Sequence, residues 1–261
     1  MSTWVDPFEG FEYQTDTVTV EASHQAEKLA DCGLDAAVFG DQVDPSFFIG
    51  IAIHAGIASG ISAEGNINML QSLVQHRPVL LGEPLTVKGR ITRVQPVPRG
   101  RTIETDCWFE GEDGNRAITA LRRSLKPDPD KRDQKGAGER PPPVIENVTG
   151  LAGFGEYSLT PDRVKGYSME GNSIHYEMEA AQKAGFRAPI IGGGMGVHFL
   201  MATIWQHLSP DQFDMDIYFR RPVFWDDSFR VMADIEGGIW RAICLAKDEK
   251  VATEARLNQI V

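Results

Sequence analysis

A carboxylate, an imidazole and a glycine run lie close together in the stretch GYSMEGNSIHYEMEAAQKAGFRAPIIGGGMG, residues 166–196. Glu170 and His175 are residue types that exchange protons with a substrate or with a bound water. The amides of Gly192, Gly193 and Gly194 precede an apolar segment, where the start of a helix would leave N–H groups free to stabilise a developing negative charge. Taken one at a time, an exposed glutamate, a capping histidine and a flexible turn explain the same residues.

The spacing of Glu170 and His175 requires a break in the backbone. Five residues of regular helix turn through about 500°, which would leave the two side chains roughly 140° apart. Gly171, Asn172 and Ser173 are turn formers, so we expect the helix to be interrupted there and the two groups to face one place. Ser173 is predicted to cap the next helix, and Gly185 is predicted to end it.

Other catalytic motifs are incomplete in this sequence. GYSME (166–170) lacks the second glycine of a nucleophile elbow. The sequence contains no HExxH motif and no P-loop, and GGGMG does not match a dinucleotide-binding GxGxxG. We therefore expect neither a metal nor a redox cofactor.

Composition and charge limit the possible partners. A net charge of −11 argues against broad binding to nucleic acid or to an anionic membrane. The three cysteines are far apart and form no CxxC pair, which fits a reducing compartment. The acidic start lacks the features of a signal peptide, and the richest apolar run, SFFIGIAIHAGIASGI, is rather short for a bilayer. The sequence predicts a soluble cytoplasmic protein.

An internal repeat divides the chain. HRPVLLGEPLTVKGRI, from His76, and RRPVFWDDSFRVMADI, from Arg220, align at an offset of 144 residues, and the same offset pairs Pro45 with Pro189 and His54 with His198. AITALR and VATEAR then match at an offset of 134, as if the second copy had lost part of a hairpin loop. We interpret the repeat as a tandem duplication, with an N-terminal module at 1–125, a charged, Pro-rich linker at 126–150 and a C-terminal module at 151–261.

Each copy has the same order of predicted elements. A short strand and a helix come first; then a glycine-containing turn leads into a helix that is apolar nearly all round, and about three strands with period-2 alternation follow. An antiparallel sheet wrapped around one buried helix is the hotdog module, so the predicted fold is α+β, a double hotdog. Two such sheets could pair edge to edge and remove exposed edge strands.

The repeat also helps to choose among the histidines. His54 and His198 occupy equivalent positions, which favours a structural role for both, as polar groups inside the buried helices. His175 aligns with Asp31 and Glu170 with Ala26, so this pair is present in one copy alone. A function confined to one half is therefore more consistent with His175 than with His198.

EGNSIH followed by GFRAPIIGG resembles the signature of the MaoC-like, or R-specific enoyl-CoA hydratase, family, which includes the hydroxyacyl-thioester dehydratases. The family pattern is roughly D-x-N-P-[I/L]-H, then G-[F/Y]-x-x-P-I-x-H-G. The resemblance covers the C-terminal half well and the N-terminal half mainly as fold. Glu170, Ser173 and Gly192 replace the Asp, Pro and His of the pattern.

The resemblance implies reversible hydration of a trans-2-enoyl-CoA, or dehydration of an (R)-3-hydroxyacyl-CoA, in fatty acid metabolism. It assigns catalysis to Glu170, His175 and the Gly193 amide, and gives Asn172 as the asparagine that supports the loop. The expected substrate-binding residues are Asn172, Gly192, Gly194 and Arg187, the last chosen because its charge suits the nucleotide of coenzyme A. Arg220 and Arg221 are further candidates for contacts with coenzyme A, which enters as part of the substrate. The N-terminal half would supply the acyl pocket. Phe47, Phe48 and Ile49 either narrow the unused site and shape that pocket or only fill the core.

Two other functions fit the same residues. A hotdog acyl-CoA thioesterase would also use a carboxylate, and a non-catalytic acyl-thioester-binding protein would account for Glu in place of Asp. The expected partner in each case is a small acyl thioester. The chain is expected to be a monomer or a homodimer of double hotdogs.

Overall fold

The computed structural model describes residues 4–131, 134, 136, 138, 141–168 and 172–261. Five α-helices lie in these ranges: α1 (Ala22–Cys32), α2 (Phe47–Ala58), α3 (Pro161–Ser168), α4 (Met178–Lys183) and α5 (Gly193–His207). Short 3-10 helices cover Ala36–Phe39, Pro129–Lys131 and Ser173–His175. None of the described helices is long and apolar enough to cross a membrane.

The described strands form one antiparallel sheet of ten. They are β1 (Asp16–Val18), β2 (Ile67–Gln75), β3 (Leu85–Val97), β4 (Gly100–Glu110), β5 (Arg116–Pro127), β6 (Ala152–Ser158), β7 (Phe213–Phe219), β8 (Ser228–Glu236), β9 (Ile239–Lys247) and β10 (Lys250–Ile260). The order across the sheet is β1-β3-β4-β5-β2-β7-β10-β9-β8-β6. The second five strands repeat the first five in reverse order, as a duplicated module related by a pseudo-twofold axis requires. The predicted double-hotdog fold is confirmed.

The two halves join through β2 and β7, the two strands that the sequence pattern did not indicate. They pair antiparallel from Leu70↔Tyr218 to Gln75↔Phe213. Within this ladder Ser72 lies opposite Asp216, its own equivalent at the offset of 144, and donates a side-chain hydrogen bond to it. The pseudo-twofold axis therefore passes through this pair, and the edge-to-edge pairing removes two sheet edges that would otherwise be open.

The central helices pack against the sheet. Every residue of α5 from Met195 to Trp205 is buried, as its apolar sequence predicts. Helix α2 is less enclosed: Phe48 and Ile49 are almost completely buried, whereas His54 is exposed. The expectation that His54 and His198 are equivalent polar groups inside buried helices is wrong for His54.

Local sequence signals explain the helix ends near the candidate site. Pro161 is the first residue of α3, and the Thr160 hydroxyl accepts a hydrogen bond from the Arg163 N–H at 3.4 Å. Gly185 follows α4 with φ of 89°, a left-handed conformation that favours glycine. The predicted cap at Ser173 is wrong: Ser173 starts the 3-10 helix, and its hydroxyl donates instead to Glu64 at 2.7 Å.

The connection between β5 and β6 contributes to a second core. Ile145 and Val148 are buried on the outer face of the sheet, where they cluster with Met232, Ala242, Cys244, Ala246 and Val251. The N–H groups of Val144 and Ile145 donate to the buried Glu254 carboxylate at 3.0 and 2.8 Å. The composition of this connection, rich in Pro and charge, gave no sign of this packing.

Candidate active site

A cavity of about 480 Å³ lies where the two halves meet. Helix α2 and strand β2 line it from the N-terminal half. Residues 167, 168, 172, 174 and 175, with the segments 190–194 and 219–223, line it from the C-terminal half. Of the predicted site residues, Asn172, His175, Gly192, Gly193 and Gly194 all border this cavity. Glu170 lies outside the described residues, so its catalytic role stays a prediction from the sequence.

The imidazole of His175 is held in one orientation. Its Nδ1 lies 2.8 Å from the carbonyl oxygen of Ile190, and because a carbonyl only accepts, Nδ1 carries the proton. Burial lowers the pKa of His175 below its usual 6.5, an effect opposed by the Ile190 hydrogen bond and by Glu64. The ring is therefore neutral at pH 7, with Nε2 free of hydrogen and able to accept a proton.

The glycine run forms the start of α5 beside this imidazole. Gly192 is the N-cap residue and Gly193 the first residue of the helix, so the next N–H groups have no partner within the helix. A Cβ atom on Gly192 would lie 3.8 Å from His175 Nε2, which shows how closely the ring approaches the backbone. The free amides and the proton acceptor thus face one cavity.

Gly193 is glycine for a steric reason. A Cβ atom there would lie 2.9 Å from both Asn68 Nδ2 and the Phe219 ring, closer than real Cβ contacts allow. Asn68 belongs to β2 of the other half, and its side-chain oxygen accepts a hydrogen bond from Arg122 Nε. Neither Asn68 nor Arg122 carries a motif signal, and only the fold brings them to Gly193.

Asn172 connects the His175 segment to the N-terminal half. Its side-chain oxygen accepts from the Gly65 N–H at 3.4 Å, and its Nδ2 donates to the Asn66 carbonyl at 3.5 Å. The side chain is buried, so these contacts hold the 3-10 helix of His175 against the loop before β2. This position agrees with a loop-supporting asparagine.

The predicted arginines fall in different places. Arg187 donates to the carboxylates of Asp226 and Asp227 at 2.7 and 2.8 Å and is not among the described residues that line the cavity. Its charge is therefore neutralised away from the predicted substrate. Arg220 and Arg221 do line the cavity.

A chain of hydrogen bonds that the sequence did not indicate runs from the buried Asp44 through His198 to Tyr167 in the cavity wall. Asp44 Oδ2 lies 2.6 Å from His198 Nδ1, and His198 Nε2 lies 2.7 Å from the Tyr167 hydroxyl. Asp44 and His198 are fully buried, and Asp44 also accepts from the Ser46 N–H at 2.8 Å. His198 Nδ1 donates to the Asp44 carboxylate, and the Tyr167 hydroxyl at the other end of the chain belongs to a residue that borders the cavity.

Within the described part of the chain, no cluster of three or more His, Cys, Asp or Glu side chains has the arrangement of a metal site. The described cysteines are buried free thiols.

Solved structures show the same architecture. HtdX (Rv0241c) from Mycobacterium tuberculosis aligns with a TM-score of 0.76 and 19% identity over 93% of this chain and 98% of that one. A MaoC-like dehydratase from Phytophthora capsici aligns with a TM-score of 0.68 and 18% identity over 97% of each chain. This chain has the double-hotdog fold of MaoC-like dehydratases.

A third structure, assigned as an oleoyl thioesterase from Lactobacillus plantarum, aligns with a TM-score of 0.61 and 11% identity over 95% of each chain. No sequence-family model matches the chain, and no curated protein matches it. At these identities the likeness establishes the fold alone.

Proposed function

We propose that this protein catalyses the reversible hydration of a trans-2-enoyl thioester, which in reverse is the dehydration of a 3-hydroxyacyl thioester. One observation carries the proposal: the unprotonated Nε2 of His175 and the free amides at the start of α5 border the same cavity. A proton acceptor beside anion-stabilising donors is what addition of water to a conjugated thioester requires.

In the proposed reaction, water bonds through its oxygen to C3, the proton that the water loses passes by way of the His175–Glu170 pair to C2, and the C2–C3 double bond becomes single. His175 and Glu170 hold and deprotonate the water; Glu170 enters this step from the sequence resemblance. As the C3–O bond forms, negative charge moves to the thioester oxygen, where the Gly193 amide stabilises it. Dehydration follows the same steps in reverse.

Crotonyl-CoA and purified protein test this proposal, with the enoyl absorbance and free thiol followed in parallel. The proposed function predicts loss of enoyl absorbance without thiol release. We expect Glu170→Gln to lower turnover on the order of 10²–10⁴-fold, the usual contribution of a general acid–base group. An unchanged enoyl absorbance at high enzyme concentration would contradict the proposed function.

Hydrolysis of an acyl thioester is the second candidate function, supported by the structural likeness to the protein assigned as an oleoyl thioesterase. Its product in the same assay is free thiol. Binding of the thioester with neither signal would instead identify a non-catalytic binding protein.

A further inference from the structure

The cavity is electropositive although the protein is acidic. Five cationic side chains are among the described residues that line it, and no Asp or Glu is among them. They are Lys28, Arg99, Arg122, Arg220 and Arg221. A cationic lining in a chain of net charge −11 indicates an anionic ligand.

Three of these cations already have partners. Arg220 forms an ion pair with Glu254 at 2.6 Å. Lys28 donates to the Gly166 and Tyr167 carbonyls at 3.0 and 3.2 Å, and Arg221 donates to a backbone carbonyl of β10. Their charges are therefore partly committed to the protein.

Arg122 differs because most of its donors are unused. Its Nε donates to Asn68 Oδ1, and its two Nη groups have no acceptor among the residues that the structure describes. The groups that influence it electrostatically are Tyr13 and Cys107. Burial raises the pKa of the Cys107 thiol to about 12, so this neighbour is uncharged at neutral pH. A guanidinium with no anionic partner among the described residues and with both Nη groups unused suits a bidentate carboxylate.

Arg122 stays cationic in this setting. Burial lowers its pKa to about 10, which is still well above neutral pH. The desolvation that lowers this pKa is offset when an anion binds, so a carboxylate here gains more than it would at the protein surface.

The position of Arg122 differs from that of Arg99, whose guanidinium likewise has no partner among the residues that the structure describes. Arg122 points from β5 in the same direction as the buried Ile118 and Ala120, towards the interior of the N-terminal half. Through Asn68 it is one side chain away from Gly193. Arg99, in contrast, lies on the β3–β4 hairpin and also borders a second groove outside the cavity. The charged, bulky nucleotide of coenzyme A fits the position of Arg99, and the acyl group fits that of Arg122.

We propose that Arg122 binds a carboxylate on the acyl group, so that the substrates are short acyl thioesters with a second acidic function. This inference rests on the proposed function, because it names the substrate class of the same cavity. The carboxylate would lie against the two Nη groups while the thioester oxygen lies at the Gly193 amide.

Calorimetric binding of succinyl-CoA and butyryl-CoA tests the inference. The two probes have four-carbon acyl chains and the same nucleotide. The acyl chain of succinyl-CoA ends in a carboxylate, and that of butyryl-CoA ends in a methyl group. We expect the unmodified protein to prefer succinyl-CoA, and Arg122→Met to weaken succinyl-CoA binding on the order of 10- to 100-fold with butyryl-CoA little changed. Arg122→Lys keeps the charge and should retain part of the preference; thermal unfolding confirms that both variants fold.

Arg99→Met is the matched control, and we expect it to weaken the binding of both probes by the same factor. The inference would be overturned if the unmodified protein bound butyryl-CoA as tightly as succinyl-CoA or more tightly. It would also be overturned if Arg122→Met lowered the affinity for both probes equally, because Arg122 would then contact the coenzyme A portion. Hydration of crotonyl-CoA by a protein with no preference for succinyl-CoA would overturn the inference and leave the proposed function standing. A protein that binds neither probe and leaves crotonyl-CoA unchanged would refute both.

Discussion

The two central helices begin at nearly equivalent points of the repeat but with opposite chemistry. At the start of α2, Phe48 and Ile49 fill the core, and Phe48 lies against Phe109 with ring centroids 4.8 Å apart. At the start of α5 the equivalent positions are Gly192 and Gly193, which border the cavity and carry no side chain. The helix start packs the core in one half, whereas in the other it lies at the cavity, where the proposed function uses it to stabilise an anion.

The difference does not make the N-terminal half inert. Its helix α2 forms a wall of the cavity, and Asn68 reaches the start of α5 from its sheet, held by a hydrogen bond from Arg122. The proposed catalytic groups belong to the C-terminal half, whereas the groups that shape the space around them come from both. This division is what a duplicated module allows, because one copy can lose its own site and still line that of the other.

The sharpest test of the comparison uses His175 and its repeat equivalent, Asp31. We expect His175→Ala to lower turnover of crotonyl-CoA on the order of 10²–10⁴-fold, because the water loses its proton acceptor. Asp31→Ala removes the equivalent side chain in the N-terminal half and should leave turnover near that of the unmodified protein. Steady-state kinetics on both variants, with thermal unfolding as the control for folding, measure this. Comparable losses in the two would mean that the halves do not differ as described.

A second pair of variants changes one residue at the start of each central helix. Gly193→Ala places a Cβ atom against Asn68 Nδ2 and the Phe219 ring, so we expect turnover to fall on the order of 10²–10³-fold as the amide moves. Phe48→Ala, at a core position that does not line the cavity, should instead cost about 3–5 kcal/mol of unfolding free energy through the space that it leaves, with turnover per folded molecule retained. Denaturant titration and kinetics separate the two effects. A large kinetic loss in Phe48→Ala would contradict the comparison.

The buried Asp44–His198 pair gives a smaller effect, on stability. Asp44→Asn keeps the shape but weakens the charge-assisted hydrogen bond to His198, and we expect a loss of about 1.5–3 kcal/mol. Asp41→Asn, at an exposed carboxylate of the same segment, is the control and should change stability little. Equal stability of the two variants would show that the pair contributes nothing.

The pH dependence should be the mildest effect. Catalysis needs neutral His175, and burial lowers its pKa, so activity should persist below pH 6.5 before falling on the acidic side. The apparent pKa of kcat/KM on that limb should therefore lie below 6.5. An inflection above 6.5 would mean that another group controls the acidic limb or that His175 is stabilised in its charged form.

The repeat explains how much of the fold could be predicted. Once two copies are recognised, the strand order of one predicts that of the other. Strands β2 and β7 were missed because Asn68, Asp214 and Asp216 are residue types depleted in strands, although here they lie at the centre of the sheet. Pairing across the two halves, which no local pattern reports, keeps them in strands.

The candidate site could likewise be predicted only as far as local sequence patterns reach. His175 and the glycine run could be selected because motif spacing is a local property. Asn68, Arg122 and the Asp44–His198–Tyr167 chain depend on contacts between residues far apart in sequence: Asp44 and His198 are 154 positions apart. Such contacts follow from the tertiary fold and leave no short-range signal.

A crystal structure with butyryl-CoA, which lacks the double bond and cannot react, tests the central claim most directly. The account predicts that the thioester oxygen lies about 2.7–3.1 Å from the Gly193 amide nitrogen, the distance expected of such a donor, with C3 beside His175 Nε2. A thioester bound away from Gly193, with C3 out of reach of His175 and any water that it holds, would contradict it.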